Sequence, residues 1–206
     1  MKKVGIIGVG KCLPKKVLTN ADLAKMVDTS DEWIITRTGI KERRLVAKNE
    51  ATSDLAAGAA KMALENACLE PVDIDLIIVA TVTPDMSFPS AACFLQNSIG
   101  AKNAVCFDVS AACAGFVYAI SIAQQFITSG AYKNALVVGA EVLSGVTDWK
   151  DRNTCVLFGD GAGAVVLSEV KSGGILSIYL GSDGSKADLL KISAGGSRHP
   201  ASHDTV

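Results

Sequence analysis

An α/β chain built on a largely parallel sheet is predicted by three features of the sequence. Short β-branched apolar runs alternate with segments of helical period. One run, Leu76-Ile77-Ile78-Val79, is apolar at every position and so needs cover on both faces. The alternation also closes in two consecutive strands with no helix between them. Taken in order, the runs predict strands near residues 4–9, 74–80, 104–109, 135–140, 162–168 and 175–181. A helix over 53–69 places Leu55, Ala59, Met62, Ala63 and Leu69 on one face, and another over 113–129 aligns Phe116, Ile120, Ala123 and Ile127. Nearer the front, Thr29 and Glu32 stand at capping-box spacing, which predicts a short helix starting around Ser30. Residues 194–203, rich in Ser, Gly and His, predict a mobile loop or cut terminus.

The composition bounds the function classes. With 206 residues, 49% of them hydrophobic, the chain can bury a sizeable core as one domain or two small ones. Its 20 Lys and Arg balance 21 Asp and Glu, for a net charge of −1, which argues against a nucleic-acid binder. The basic cluster Lys41-Glu42-Arg43-Arg44 is broken by an acid and predicts a solvated face. The six cysteines (12, 68, 93, 106, 113 and 155) include no Cys-x-x-Cys pair and sit in apolar segments, so neither a zinc site nor a disulfide framework is expected. The apolar run after Met1-Lys2-Lys3 is too short for a signal peptide, and no apolar stretch is long enough to span a bilayer. The cytoplasm is therefore the expected compartment, with no membrane partner.

Two glycine patterns invite a phosphate-loop reading and do not support it. After Gly5, Gly8 and Gly10, Leu13 stands where a dinucleotide fingerprint needs a third small residue. Gly159-Asp160-Gly161-Ala162-Gly163-Ala164 has the spacing but runs on into strand-like sequence, and predicts a tight turn that lets backbone approach something bulky. On the helix near Ser30, Trp33 and Arg37 are four apart and share a face. The pair is either an indole platform and guanidinium for a nucleobase and phosphate, or a packed aromatic beside a snorkelling charge.

Cys113 lies in Asp108-Val109-Ser110-Ala111-Ala112-Cys113-Ala114-Gly115-Phe116, where an apolar run gives way to small residues and then to a helix. Exposed N–H groups and the positive end of a helix dipole favour a thiolate there, which makes Cys113 a candidate nucleophile. The competing reading is a small residue filling space among alanines.

Taken together, these segments are more specific than any one of them. Asp28-Thr29-Ser30-Asp31-Glu32-Trp33-Ile34-Ile35-Thr36-Arg37-Thr38-Gly39-Ile40, Phe88-Pro89-Ser90-Ala91-Ala92, the Cys113 segment, Asp151-Arg152 and Phe158-Gly159-Asp160-Gly161-Ala162-Gly163 follow one another in the order and spacing of one family. Over essentially its whole length the chain resembles the β-ketoacyl-acyl carrier protein synthase III family, the initiating condensing enzymes of type II fatty acid synthesis.

The resemblance implies a thiolase-like fold, an αβαβα sandwich of two βαβαβαββ halves, of which residues 1–193 supply the N-terminal half and 194–206 lead towards an absent second half. It implies that Cys113 takes an acyl group from acyl-coenzyme A and condenses it with malonyl-acyl carrier protein, releasing carbon dioxide, with no cofactor or metal beyond the thioester substrates. By the same resemblance, Thr29, Trp33, Arg37 and Arg152 contact coenzyme A, Phe88 reaches a partner subunit's acyl pocket in a homodimer, and Phe158 lies by the active site. The family completes its site with a histidine and an asparagine from the second half. His199 and His203 match neither, so the chain reads as the N-terminal piece of a longer enzyme. The alternatives are a related ketone-, quinolone- or hydroxymethylglutaryl-forming condensing enzyme, or a non-catalytic assembly subunit.

Overall fold

The computed structural model describes residues 2–203. Its centre is a sheet of β1 (Val4–Cys12), β4 (Leu76–Ala80), β5 (Val105–Val109), β6 (Ala135–Val142) and β7 (Asp160–Glu169), in the order β1-β7-β6-β4-β5. A second, two-stranded antiparallel sheet pairs β2 (Lys16–Thr19) with β3 (Glu42–Leu45). The helices are α1 (Asn20–Leu23), α2 (Asp31–Thr38), α3 (Thr52–Ala67), α4 (Ala91–Ile99) and α5 (Gly115–Thr128).

The sheet is mixed rather than largely parallel. β4 runs parallel to β5 and β6, whereas β7 is antiparallel to both β6 and β1. The apolar runs of β1 and β7 demand burial but carry no information about direction. Strand direction follows from the connections: β4 and β5, like β5 and β6, are joined through a helix, the link a parallel pair requires. β6 and β7 are joined by a loop with no α-helix, which leaves them antiparallel.

Two cores form on opposite faces of the sheet, as the all-apolar β4 predicts. Ile77, Val79, Leu136, Val138, Ala164 and Val166 pack against α3 and α4. Their neighbours Leu76, Ile78, Ala135, Val137, Val165 and Leu167 pack against Ala119, Ala123 and Ile127 of α5. A third cluster, Leu23, Ile34, Cys155 and Val156 with Trp33 and Trp149 against it, lies under α2.

The glycines of β1 are explained by packing, not by a phosphate. A Cβ at Gly10 would stand 2.1 Å from the Ala59 carbonyl oxygen, and one at Gly8 2.3 Å from that of Ala63, both in α3. Strand and helix backbones therefore meet almost directly, which the alanines of α3 permit from their side.

Several sequence expectations are corrected. Residues 175–181 form no strand: Ile175 N–H donates to Val4 O at 2.8 Å, but the segment beyond lies open, with Leu176 93% exposed. The segment 159–163 is not a tight turn, since β7 already begins at Asp160 and Gly161 and Gly163 sit within the strand. The cap of α2 is Ser30, whose Oγ accepts from Trp33 N–H at 3.1 Å, and not Thr29. Met62 is 46% exposed rather than on the buried face of α3. Cys68, expected in the core, is exposed in the left-handed conformation that ends α3. In the basic cluster, Lys41 and Glu42 are exposed as expected, but Arg43 is buried.

Candidate active site

The site is assembled at the carboxyl ends of the parallel strands. Ala80 of β4 is level with Val109 of β5 and with Gly139 of β6, so Thr81–Thr83, 110–113 and 141–144 emerge side by side at one end of the sheet. Open α/β sheets bind ligands at such an end.

Cys113 is exposed there, in a single 3-10 turn (Ala112–Ala114) that leads into α5. The residue before it, Ala112, has φ +45°, a left-handed conformation that costs a non-glycine residue about 1–3 kcal/mol and persists only where its surroundings impose it. Gly115 lets the turn approach the sheet: a Cβ there would be 3.3 Å from that of Ala80. The Cys113 thiol is exposed rather than packed among the neighbouring alanines.

The carboxylate of Asp108 ties the Cys113 segment to the Phe88 motif. It accepts from the N–H groups of Ala91 at 2.7 Å and Ala92 at 2.9 Å, so β5 caps the N-terminus of α4, which the local Ser90 side chain does not. Phe88, in the loop before α4, is 84% exposed. On the other side, Glu141 accepts from Val82 N–H at 2.9 Å, from Thr81 Oγ at 3.3 Å and from the Thr83 hydroxyl, fixing the loop after β4 against the end of β6. Buried Asp160 accepts from Ser144 N–H (2.8 Å) and Oγ (2.6 Å) and from Val46 N–H (2.8 Å), which joins the ends of β3, β6 and β7. Motif reading singled out neither Glu141 nor Asp108; an acid placed at a strand's carboxyl end was their only sequence signal. Phe158, half-buried, lies just before β7.

A cleft of about 460 Å³ opens at this end of the sheet, lined among others by Thr52, Val82, Thr83, Asp85, Met86 and Val146. A larger one, about 620 Å³, lies at the far end of α3 around Leu64, Cys68 and Pro71. Cys113 lines neither, and the second contains none of the candidate site residues.

The second constellation surrounds Trp33. The Arg37 guanidinium lies 4.5 Å from the indole centroid and that of Arg152 5.0 Å from it. Arg152 is steadied by Asp28, donating to its carbonyl at 2.9 Å and to its carboxylate at 3.3 Å. Thr29 Oγ, next in the chain, is buried with no hydrogen-bond partner among the described residues. Four residues proposed from the sequence for one ligand thus belong to one neighbourhood, although Arg152 lies 124 positions from Asp28 along the chain.

With this geometry in place, similarity to known proteins is decisive. A protein 64% identical over 203 residues is the β-ketoacyl-[acyl-carrier-protein] synthase III of Caldanaerobacter subterraneus, matched over 98% of this chain and 61% of its own length. Over nearly its whole length the chain is similar to β-ketoacyl-[acyl-carrier-protein] synthase III. The Clostridioides difficile synthase III is 59% identical over 204 residues, 99% of this chain and 62% of the relative. The family model for 3-oxoacyl-[acyl-carrier-protein] synthase III matches residues 107–184, a stretch that includes Cys113, Arg152 and Phe158. Among solved structures, the synthase III of Pseudomonas aeruginosa superposes with a TM-score of 0.89 at 40% identity, over 96% of this chain and 62% of that one. The fold is therefore the thiolase-like one expected, and the chain spans about three-fifths of the length of these synthase III relatives.

Proposed function

We propose that this chain is the nucleophile-bearing part of an initiating condensing enzyme of type II fatty acid synthesis, and that residues 1–193 form its N-terminal half with 194–206 leading into the second. The observation that carries this reading is the exposed Cys113 thiol, held by the strained Ala112 at the start of an apolar helix. A thiolate in that position attacks the carbonyl carbon of an acyl-coenzyme A. The carbon–sulfur bond of the primer breaks, coenzyme A leaves as its thiolate and takes a proton from water, and the acyl group stays on Cys113.

In the second step malonyl-acyl carrier protein loses carbon dioxide. The carbanion so formed attacks the acyl-Cys113 carbonyl, which releases β-ketoacyl-acyl carrier protein and regenerates the thiolate. Charge builds on the malonyl thioester oxygen as carbon dioxide leaves, and donors must be aimed at it; losing one costs about 2.7–4 kcal/mol. The histidine and asparagine that the family resemblance implies for this task belong to the second half. His199 and His203 are exposed in irregular chain, which supports leaving them out of the mechanism.

Trp33, Arg37, Arg152 and Thr29 take the adenosine and phosphate end of coenzyme A in this reading. An indole offers a stacking face, and two guanidiniums match phosphate oxygens. The homodimer is proposed on the edge of the sheet: among the described residues β5 pairs with β4 alone, its Val105 is 51% exposed, and the exposed Phe88 precedes the helix tied to the same strand through Asp108. Phe158 belongs with the acyl pocket. We place the enzyme in the cytoplasm; no helix among the described residues is long and apolar enough to cross a membrane.

The test uses the full-length protein. Incubation with acetyl-coenzyme A and peptide mass mapping should find the acetyl group on Cys113, and malonyl-acyl carrier protein should then release carbon dioxide. A protein that still condenses after Cys113→Ala would sink the assignment. Residues 1–206 expressed alone should release no carbon dioxide above the Cys113→Ala background.

A further inference from the structure

The Arg43 guanidinium is only 5% exposed and faces no carboxylate among the described residues. Burying a cation without a counter-charge is costly, and an apolar side chain beside Leu23, Ile34, Cys155 and Val156 would pack without that cost. The location of its hydrogen bonds gives the reason for the charge. Arg43 Nη1 donates to Asn20 Oδ1 at 2.7 Å and Nη2 to the Val156 carbonyl at 2.6 Å, while Nε has no partner among the described residues.

Each of those acceptors belongs to one wall of the Trp33 constellation. Asn20 Nδ2 donates to Asp31 Oδ1 and to the Ile40 carbonyl, both at 2.8 Å, so this one amide touches the first residue of α2 and the chain just past its end. Trp33 and Arg37 ride on that helix. Val156 closes the turn that starts at Asp151 and carries Arg152; Cys155 N–H donates to Asp151 O at 2.9 Å. Gly159 leaves room for the tie, since a Cβ there would stand 2.9 Å from that of Arg43.

We propose that Arg43 is a positioning residue for coenzyme A binding, a buried cross-tie that sets the spacing between the Trp33–Arg37 wall and the Arg152 wall without itself touching the ligand. This rests on the reading that those walls bind the adenosine end of the primer. Only a forked, permanently charged group reaches both acceptors at once; a lysine ammonium at this position can serve one.

In the full-length protein, Arg43→Lys should raise the KM for acetyl-coenzyme A about ten-fold and leave kcat within about two-fold. With acetyl-pantetheine, which presents the same thioester but no adenosine phosphates, its kinetics should match the parent. Asn20→Ala, which cuts only the arm to α2, should show the same split and provides a second reading if Arg43→Lys fails to fold. Unchanged acetyl-coenzyme A KM in both folded variants, or equal loss with both thioesters, would overturn the proposal. Trp33→Ala run in parallel separates the two levels. If it raises KM and the Arg43 and Asn20 variants do not, the cross-tie alone is wrong. If Trp33→Ala is also silent, the coenzyme A reading of the walls has failed.

Discussion

The Arg152 guanidinium stands 5.0 Å from the centroid of the Trp33 indole, on a ring that Arg37 also approaches at 4.5 Å. Two cations on one indole repel each other and gain from the ring only modestly, which suits a site whose anionic ligand separates them. Trp33→Ala, Arg37→Ala and Arg152→Ala in the full-length enzyme should each weaken acyl-coenzyme A binding by about 1–2 kcal/mol, expressed in KM more than in kcat. Calorimetry with coenzyme A checks this directly, and unchanged affinity in a folded triple variant would be incompatible with the assignment.

Thiol reactivity should separate the cysteines by place. Cys113 and Cys68 are exposed, whereas Cys155 is buried and its thiol pushed up, chiefly by burial. Cys106 is pushed up to about 11, first by burial and then by its hydrogen bond to Cys93, 3.7 Å away. At pH 8 about a thousandth of Cys106 is thiolate, so iodoacetamide should reach Cys113 and Cys68 well before Cys106 or Cys155. Acetyl-coenzyme A should protect Cys113 alone. Time-resolved peptide mapping in which Cys106 labels first would contradict this picture.

The contact between β1 and α3 leaves no room for a methyl group. Gly10→Ala should destabilise the protein by about 1–3 kcal/mol, towards the upper end because the obstacle is helix backbone and not a movable side chain. Urea unfolding should show a lower midpoint at constant slope, and a wild-type midpoint would show that the strand can lift away freely.

Acid should act on the start of α1. Asp22 is held at about 2, below its ordinary 3.8, by the Thr19 hydroxyl first and then by Lys25. A depressed carboxylate stabilises the fold above its unfolded value, so the contribution is complete above about pH 4 and disappears as pH falls towards 2. An NMR titration should find the Asp22 carboxyl changing near 2, with the Thr19 amide following it; a midpoint near 4 would mean the Thr19–Asp22 pairing that caps α1 does not hold.

The partner edge is open to a direct test as well. Val105→Lys places a charge on the exposed edge strand and should shift the full-length enzyme from dimer to monomer in sedimentation. A dimer of unchanged stability would move the interface elsewhere.

Local pattern by itself determined the parts whose burial does not depend on a distant partner. The uniformly apolar β4, the apolar first half of β6, the alanine-rich α3 and the apolar α5 were legible because their period and composition leave few alternatives, and the Cys113 segment was legible from a strand giving way to small residues before a helix. Tertiary structure alone decided strand direction, because an apolar run is equally satisfied by a parallel or an antiparallel neighbour. It also created α4 as a capped helix, since its cap is Asp108 on β5 and no local residue. The four-residue strands of the two-stranded sheet went unread because neither alternates long enough to show a period, and residues 175–181 look like a strand but make no ladder beyond one hydrogen bond to Val4. Arg43 shows the limit most plainly: a basic residue among charges reads as solvated, and only the meeting of Asn20 with the Val156 carbonyl supplies the acceptors that allow it to be buried.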